Sequence, residues 1–319
     1  MTAIDHSRPF RFGYQTRGPL TDKSWLDTAR MIEDMGFSSL LMPDHFTDQW
    51  GPISALTAAA TVTTDLIVGA LVFGNDYRHP TILAKEMATL DQISEGRLEF
   101  GIGAGWMRTD YDEVGMAYDR PGLRIERLEE SIEIIRGCWS GEEFSFEGQH
   151  YTITNYQGLP APHTPGGPPI LIGGGGPRML GVAARHANIV GLTANLRAGA
   201  VGPEAVSDSM PDAFDTKLAR VTEAAAENAS IELSSLTMAT VVTNDRQATL
   251  DGMAELFGAD VEQVAESPMV LAGTVEEITE SLIERRERWG FNYVVVQYPD
   301  GDTAAVQAFA PVIEALNGM

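Results

Sequence analysis

A (β/α)8 barrel is the fold class this sequence predicts. Three observations carry it: eight strand-like runs, helical patterns between them, and polar or glycine-rich loops after the strands. The runs are FRFGYQ at 10–15, SSLLMP at 38–43, DLIVGALVF at 65–73, RLEFGIG at 97–103, PPILIGG at 168–174, NIVGL at 188–192, LTMATVVT at 236–243 and FNYVVVQ at 291–297. Several are almost wholly apolar, as expected of parallel strands covered on both faces, and most connections are long enough for crossover helices.

The helices have legible ends. Lys23 to Met35 stops before Gly36, Pro80 to Ser94 before Gly96, and Thr274 to Trp289 before Gly290. Thr274 and Glu277 have the spacing of a capping box. A length of 319 residues suits two ordinary domains or one large barrel. Eight βα units favour one barrel over a doubly wound sheet, so residues 1–319 are expected to form a single domain. Insertions are expected near 104–120, at 143–153, where FSFEGQHYTI alternates like a hairpin around Glu147-Gly148, and at 193–214.

Composition narrows the function. Hydrophobic residues make up 44%, enough for a large core, but no uninterrupted apolar run reaches about 18 residues. The start, MTAIDHSRPFRFGYQ, lacks a basic region followed by an apolar one, so no membrane association or export is expected. Cys138 is the only cysteine, which excludes an intrachain disulfide and a cysteine-built zinc site and suits a reducing cytoplasm. It ends a helical pattern with no adjacent histidine, the setting of a packed thiol. The formal charge of −23 comes from acids spread along the chain, a surface that repels nucleic acid.

Chemistry is expected in the loops after the strands. Asp44 and His45 follow the second strand with Phe46 and Trp50 close behind, which places an acid, an imidazole and two aromatic rings together. His45 could move a proton or simply anchor its loop. After the third strand come Asn75, Asp76, Tyr77, Arg78 and His79, then Pro80 at a helix start. Arg78 and His79 read as capping and orienting that helix, and Leu71 and Val72 as apolar barrel core.

Two glycine-rich segments could hold phosphate through backbone N–H groups: Gly103-Ala104-Gly105 after the fourth strand, and Gly173 to Gly176 with Pro177 after the fifth. The second runs into a helix, whose N-terminus favours anions; a plain turn is the alternative for both. Neither matches GxGxxG with a following acid, and GxxxxGK[ST] and GxSxG are missing. The six histidines, His6, His45, His79, His150, His163 and His186, never fall in HxH or HExxH spacing, so no catalytic metal is expected. A phosphorylated cofactor suits these residues better than covalent catalysis.

The chain resembles the luciferase-like monooxygenase superfamily, and within it the oxidoreductases that use the deazaflavin coenzyme F420. The resemblance runs from FRFGYQ through WLDTARMIEDMGFSSLLMPDHF, RHPTILAKEMATLDQISEGRLEFGIGAGW, RIERLEESIEII and GGGGP to GTVEEITESLIERRERWGFNYVVV. It implies a (β/α)8 TIM barrel with insertion loops, usually a homodimer, that binds a flavin or deazaflavin at the C-terminal strand ends. It further implies a non-proline cis peptide at Leu71-Val72 backing the ring, reversing the core reading of those residues. Asp44 and His45 would lie at the reactive face, with His45 a candidate proton donor or orienter. Asn75 would reach the ring's polar edge, and Gly105 with Gly174, Gly175 and Gly176 would hold the phosphate. Sugar-phosphate dehydrogenases of this superfamily carry a glutamate after the GxG where this chain has Trp106, which points to an apolar or planar substrate.

The expected activity is hydride transfer between F420 and a small organic molecule, with C=C or C=O reduction favoured over oxygen insertion. The alternatives are an FMN monooxygenase served by a partner reductase, and a non-catalytic flavin-binding protein.

Overall fold

Eight parallel strands close on themselves in chain order. They are β1 (Arg11–Gln15), β2 (Ser39–Met42), β3 (Ile67–Ala70), β4 (Leu98–Gly103), β5 (Ile170–Gly174), β6 (Ile189–Leu192), β7 (Glu232–Leu236) and β8 (Phe291–Gln297). Each pairs with the next, and β8 returns to β1, with Arg11 opposite Tyr293. The computed structural model describes residues 8–225, 230–298 and 301–319; His6 and the rest of the first seven residues lie outside them.

A helix follows every strand: Trp25–Asp34, Pro52–Ala60, Pro80–Ile93, Pro121–Trp139, Pro177–His186, Pro211–Ala224, Val275–Trp289 and Thr303–Leu316. The expected capping box forms, with Thr274 and Glu277 each accepting a backbone N–H from the other. Gly290 ends that helix in the left-handed region at φ 75, a conformation glycine adopts without a Cβ penalty.

Strand alternation divides the apolar residues into two layers. One face of each strand, including Phe12, Tyr14, Leu40, Val68, Phe100, Ile172 and Val294, packs under the helices. The other face fills the barrel with Leu41, Leu171, Ile189, Tyr293 and Val295. Burying each such side chain contributes about 1.5–3 kcal/mol, so this double layer supplies the main driving force.

The floor of the barrel is polar. Arg11 pairs with Glu99 at 2.6 Å and Glu232 at 2.7 Å, and its guanidinium lies 3.5 Å from the centre of the Tyr293 ring. Tyr293 donates to Glu99 at 3.0 Å, and Asn292 donates to Glu232 at 2.7 Å. Burial pushes the Glu99 carboxyl above its ordinary value, against the pull of Arg11.

This floor explains a correction. The seventh strand is Glu232–Leu236, and the more apolar run expected at 236–243 is something else. Its residues Ala239–Val242 pair in parallel with Val270–Gly273 in a separate two-stranded sheet. That sheet packs with helices Arg246–Phe257 and Val261–Glu266 around Leu250, Met253, Val264 and Val270. ELSSL escapes an apolar-run criterion because Glu232 is committed to Arg11 and Asn292 inside the barrel.

The other insertions also take shape. Residues 104–120 contain the helix Arg108–Val114, and 193–214 contain the short helix Pro203–Ser207. Glu143–Glu147 and Thr152–Gln157 form the antiparallel hairpin expected near 143–153. Among the described residues no helix is long and apolar enough to cross a membrane.

Candidate active site

At the C-terminal strand ends, the loop after β2 is braced against the segment after β3. Asp44 receives two hydrogen bonds from Arg78, at 2.6 and 3.0 Å, and one from the Gly74 N–H at 3.0 Å. Such a bidentate, charge-assisted pair fixes geometry, so Asp44 acts here as the anchor of its loop. Arg78 therefore turns to Asp44, while His79 caps the next helix by accepting from the Thr81 N–H.

His45 points the other way. Its Nδ1 lies 2.6 Å from Oδ2 of Asp110, on the helix inside the 104–120 segment. Tyr77 donates to the same oxygen at 3.0 Å, and the Phe46 N–H donates to Oδ1 at 3.2 Å. Burial, reinforced by the Asp110 charge, pushes the Tyr77 phenol well above its ordinary value. Trp106 meets the His45 ring edge to face at 5.6 Å, and Phe46 packs on Tyr77 at 4.7 Å. Trp50 turns to Trp25 at 5.8 Å and is half exposed.

A further set of charges holds this group from behind. Arg127 grips Asp76 at 2.9 and 2.7 Å and Asp119 at 2.6 Å, and Tyr111 donates to Asp76 at 3.2 Å. The sequence reading left Asp110, Arg127 and the partnership of Tyr77 unassigned. The available signal was Gly115, which ends the Arg108–Val114 helix at φ 74 and marks a helical turn inside an apparent loop.

The Leu71-Val72 peptide is cis, and the Leu71 carbonyl accepts from Gln15 Nε2 at 2.7 Å. Both side chains pack against the lumen cluster. Asn75, just beyond, is buried, and its Nδ2 has no hydrogen-bond partner among the described residues.

The glycines divide by what surrounds them. A Cβ at Gly103 would lie 2.8 Å from Val72, and at Gly105, where φ is +73, 2.0 Å from the Tyr111 hydroxyl. One at Gly174 would meet Met179 at 2.5 Å, and one at Gly175 the Thr193 carbonyl at 2.3 Å. Chain packing therefore already requires these four. Gly173 differs: its nearest neighbour would be the Gly191 oxygen at 4.0 Å, which leaves open lumen above Leu171. Gly176 caps Pro177–His186 without any side-chain hydrogen bond at that helix start.

Arg124 completes the inventory. It is 2% exposed and lies 3.9 Å over the Tyr118 ring, yet its Nε and Nη1 have no hydrogen-bond partner among the described residues. Buried guanidinium N–H groups without acceptors are costly, and a bound anion would relieve that cost. An orphaned cation, an orphaned amide and glycine-lined space fit a planar, phosphate-bearing cofactor. Among the described residues no group of three or more His, Cys, Asp and Glu is arranged to hold a metal ion.

Comparison with known proteins agrees with this geometry. A model of the luciferase-like monooxygenase family matches residues 9–289. An F420-dependent glucose-6-phosphate dehydrogenase from Nakamurella multipartita is 33% identical over 190 residues, 56% of this chain and 55% of that protein. An FMNH2-dependent dimethylsulfone monooxygenase from Pseudomonas fluorescens is 32% identical over 163 residues, 49% of this chain and 44% of that protein. The chain thus spans about half the length of these curated relatives. In three dimensions, the coenzyme F420-dependent tetrahydromethanopterin reductase from Methanopyrus kandleri superposes with a TM-score of 0.76 at 22% identity, covering 97% of this chain and 100% of that one.

Proposed function

The chain belongs to the luciferase-like monooxygenase family, and from that premise we propose that it is an F420-dependent oxidoreductase moving hydride between the deazaflavin and a small organic substrate. The observations that carry this reading are Asn75 Nδ2 and the Arg124 guanidinium, buried polar groups with N–H groups that find no acceptor among the described residues, together with the open space a Cβ would meet at Gly173. Relatives named as F420-dependent support a deazaflavin.

When bound, a deazaflavin supplies hydride and reacts poorly with oxygen, so reduction of C=C or C=O is favoured over oxygen insertion. Leu71 and Val72 would back the ring, and Asn75 would donate to its polar edge. Gly103, Gly105, Gly174, Gly175 and Gly176 would shape the phosphate cradle, which Arg124 completes. His45 is the proton-bearing group at the reactive face, and Asp44 holds its loop in place. Trp106 and Phe46 give the substrate pocket an aromatic wall, with Trp50 at its outer rim. The enzyme is proposed to be a single-domain homodimer of the reducing cytoplasm.

The FMN monooxygenase remains the second reading, because an FMNH2-dependent relative matches about as well. Fluorescence titration of the purified protein with oxidised F420 and with FMN tests both. Tighter binding of F420 is expected; preference for FMN would overturn the proposal and favour the monooxygenase. Cofactor binding without turnover on a broad substrate panel, indifferent to loss of His45, would favour a binding protein instead.

A further inference from the structure

Asp110 is the hydrogen-bond partner of His45 Nδ1. It sits on a helix that reaches over the site from the fourth βα connection, and it is 2% exposed. Its Oδ1 accepts from the Phe46 N–H at 3.2 Å, and its Oδ2 from the Tyr77 hydroxyl at 3.0 Å. An N–H can only donate, and the upward shift of the Tyr77 phenol keeps that proton in place as well. With both oxygens already facing committed donors, Asp110 meets His45 as an acceptor. The 2.6 Å contact to His45 Nδ1 is then an Nδ1–H donating to Oδ2.

From this we infer that Asp110 is the positioning residue that holds neutral His45 in its Nδ1–H tautomer and so makes Nε2 the atom that exchanges protons with substrate. Among the described residues Nε2 has no hydrogen-bond partner, and Trp106 meets the ring from the side at 5.6 Å. In the reductive direction, with reduced deazaflavin as the two-electron hydride source of the proposed reaction, substrate carbon would gain hydride with its electron pair while imidazolium Nε2–H gives its proton to the other atom of the double bond. His45 is left neutral with Nδ1–H intact, and Nε2 regains a proton from solvent. Oxidation runs these transfers in reverse.

This assignment rests on the proposed oxidoreductase reading for its use, but not for its first test. Nitrogen-15 NMR of histidine-labelled, cofactor-free protein reads the tautomer directly, with His45→Gln identifying the signal. The wild-type protein is expected to show neutral His45 protonated at Nδ1; protonation at Nε2 would overturn the inference without any other variant. In Asp110→Asn the new amide can donate to Nδ1, and the neutral ring should switch to Nε2–H. Tyr77→Phe, which removes one donor and leaves the carboxylate, should keep the wild-type tautomer.

The second test is kinetic. Asp110→Asn should lower kcat by roughly 10²-fold or more, the usual worth of a general acid or base, with F420 affinity within about twofold of wild type. His45→Gln should cost about as much, and the double variant little more than either single one. Full turnover in an Asp110→Asn protein whose tautomer has switched would sink the role of Nε2. Wild-type protein that turns over nothing with F420 would count against the oxidoreductase reading alone, since the tautomer measurement stands apart from it.

Discussion

Two neighbouring glycines, Gly173 in β5 and Gly175 just beyond it, should respond to alanine in opposite ways. Neither is among the residues with positive φ, so the backbone itself accepts a side chain at both. At Gly173 the added Cβ would meet nothing closer than 4.0 Å, so only the lost freedom of the unfolded chain counts. That is worth about 0.4–1 kcal/mol of added stability. At Gly175 the Cβ would lie 2.3 Å from the Thr193 carbonyl, 2.5 Å from Ala194 and 2.6 Å from the Asn195 nitrogen. These are backbone atoms, and Asp208 restrains them by accepting from the Asn195 N–H at 2.7 Å while pairing with Lys217 at 2.6 Å. Overpacking of this kind costs about 1–3 kcal/mol. At roughly 2–4 °C per kcal/mol, differential scanning calorimetry should show Gly173→Ala unchanged or slightly raised and Gly175→Ala lowered by several degrees. Binding should discriminate further. A methyl group at Gly173 enters the open lumen proposed to receive the cofactor, and about 1–3 kcal/mol of overlap weakens F420 binding roughly 5- to 150-fold in a protein that is fully stable. Wild-type affinity in Gly173→Ala would refute the idea that this lumen is kept open for a ligand, and an unchanged melting temperature in Gly175→Ala would refute the packing argument.

Arg124→Gln should weaken binding of F420 by about 1.5–3 kcal/mol, tenfold or more, because it removes charge-assisted bonds to an anion. The dephosphorylated deazaflavin should bind both proteins equally, and an equal loss for both ligands would assign Arg124 a merely structural part. Trp106→Ala should change which substrates are turned over; an unchanged substrate profile in steady-state assays would remove Trp106 from the pocket. Glu99→Gln should show a pH-dependent stability difference on the barrel floor. Burial raises the folded-state value of Glu99, so its contribution is present in full below the ordinary value of 4.5 and is lost as pH rises through the raised one. Glutamine cannot ionise, so the melting temperature of the variant relative to wild type should climb as pH rises above 4.5. A constant difference from pH 4.5 to 8 would contradict this.

How far such a site can be read from sequence depends on where its residues satisfy their polar groups. β5 and β6 were legible because every side chain they bury is apolar or glycine, so burial and pattern coincide. β7 was not, because Glu232 is buried against Arg11 and Asn292, partners 221 and 60 residues away, and no local pattern records a distant ion pair. The same limit applies at the active face. Asp44-His45 stood out because both residues lie directly after an apolar strand. Asp110 lies 65 residues from the histidine it orients, within RTDYDEV, a stretch whose acids look like any solvated surface of this acidic chain. The GAG segment is glycine-rich for a packing reason whether or not it holds phosphate, since Val72 and Tyr111 already exclude a side chain at Gly103 and Gly105. Glycine enrichment alone therefore cannot separate space reserved for a ligand from space taken by the chain. A Cβ that would touch nothing, as at Gly173, and a buried cation that touches no acceptor, as at Arg124, are the features that point outward to a ligand.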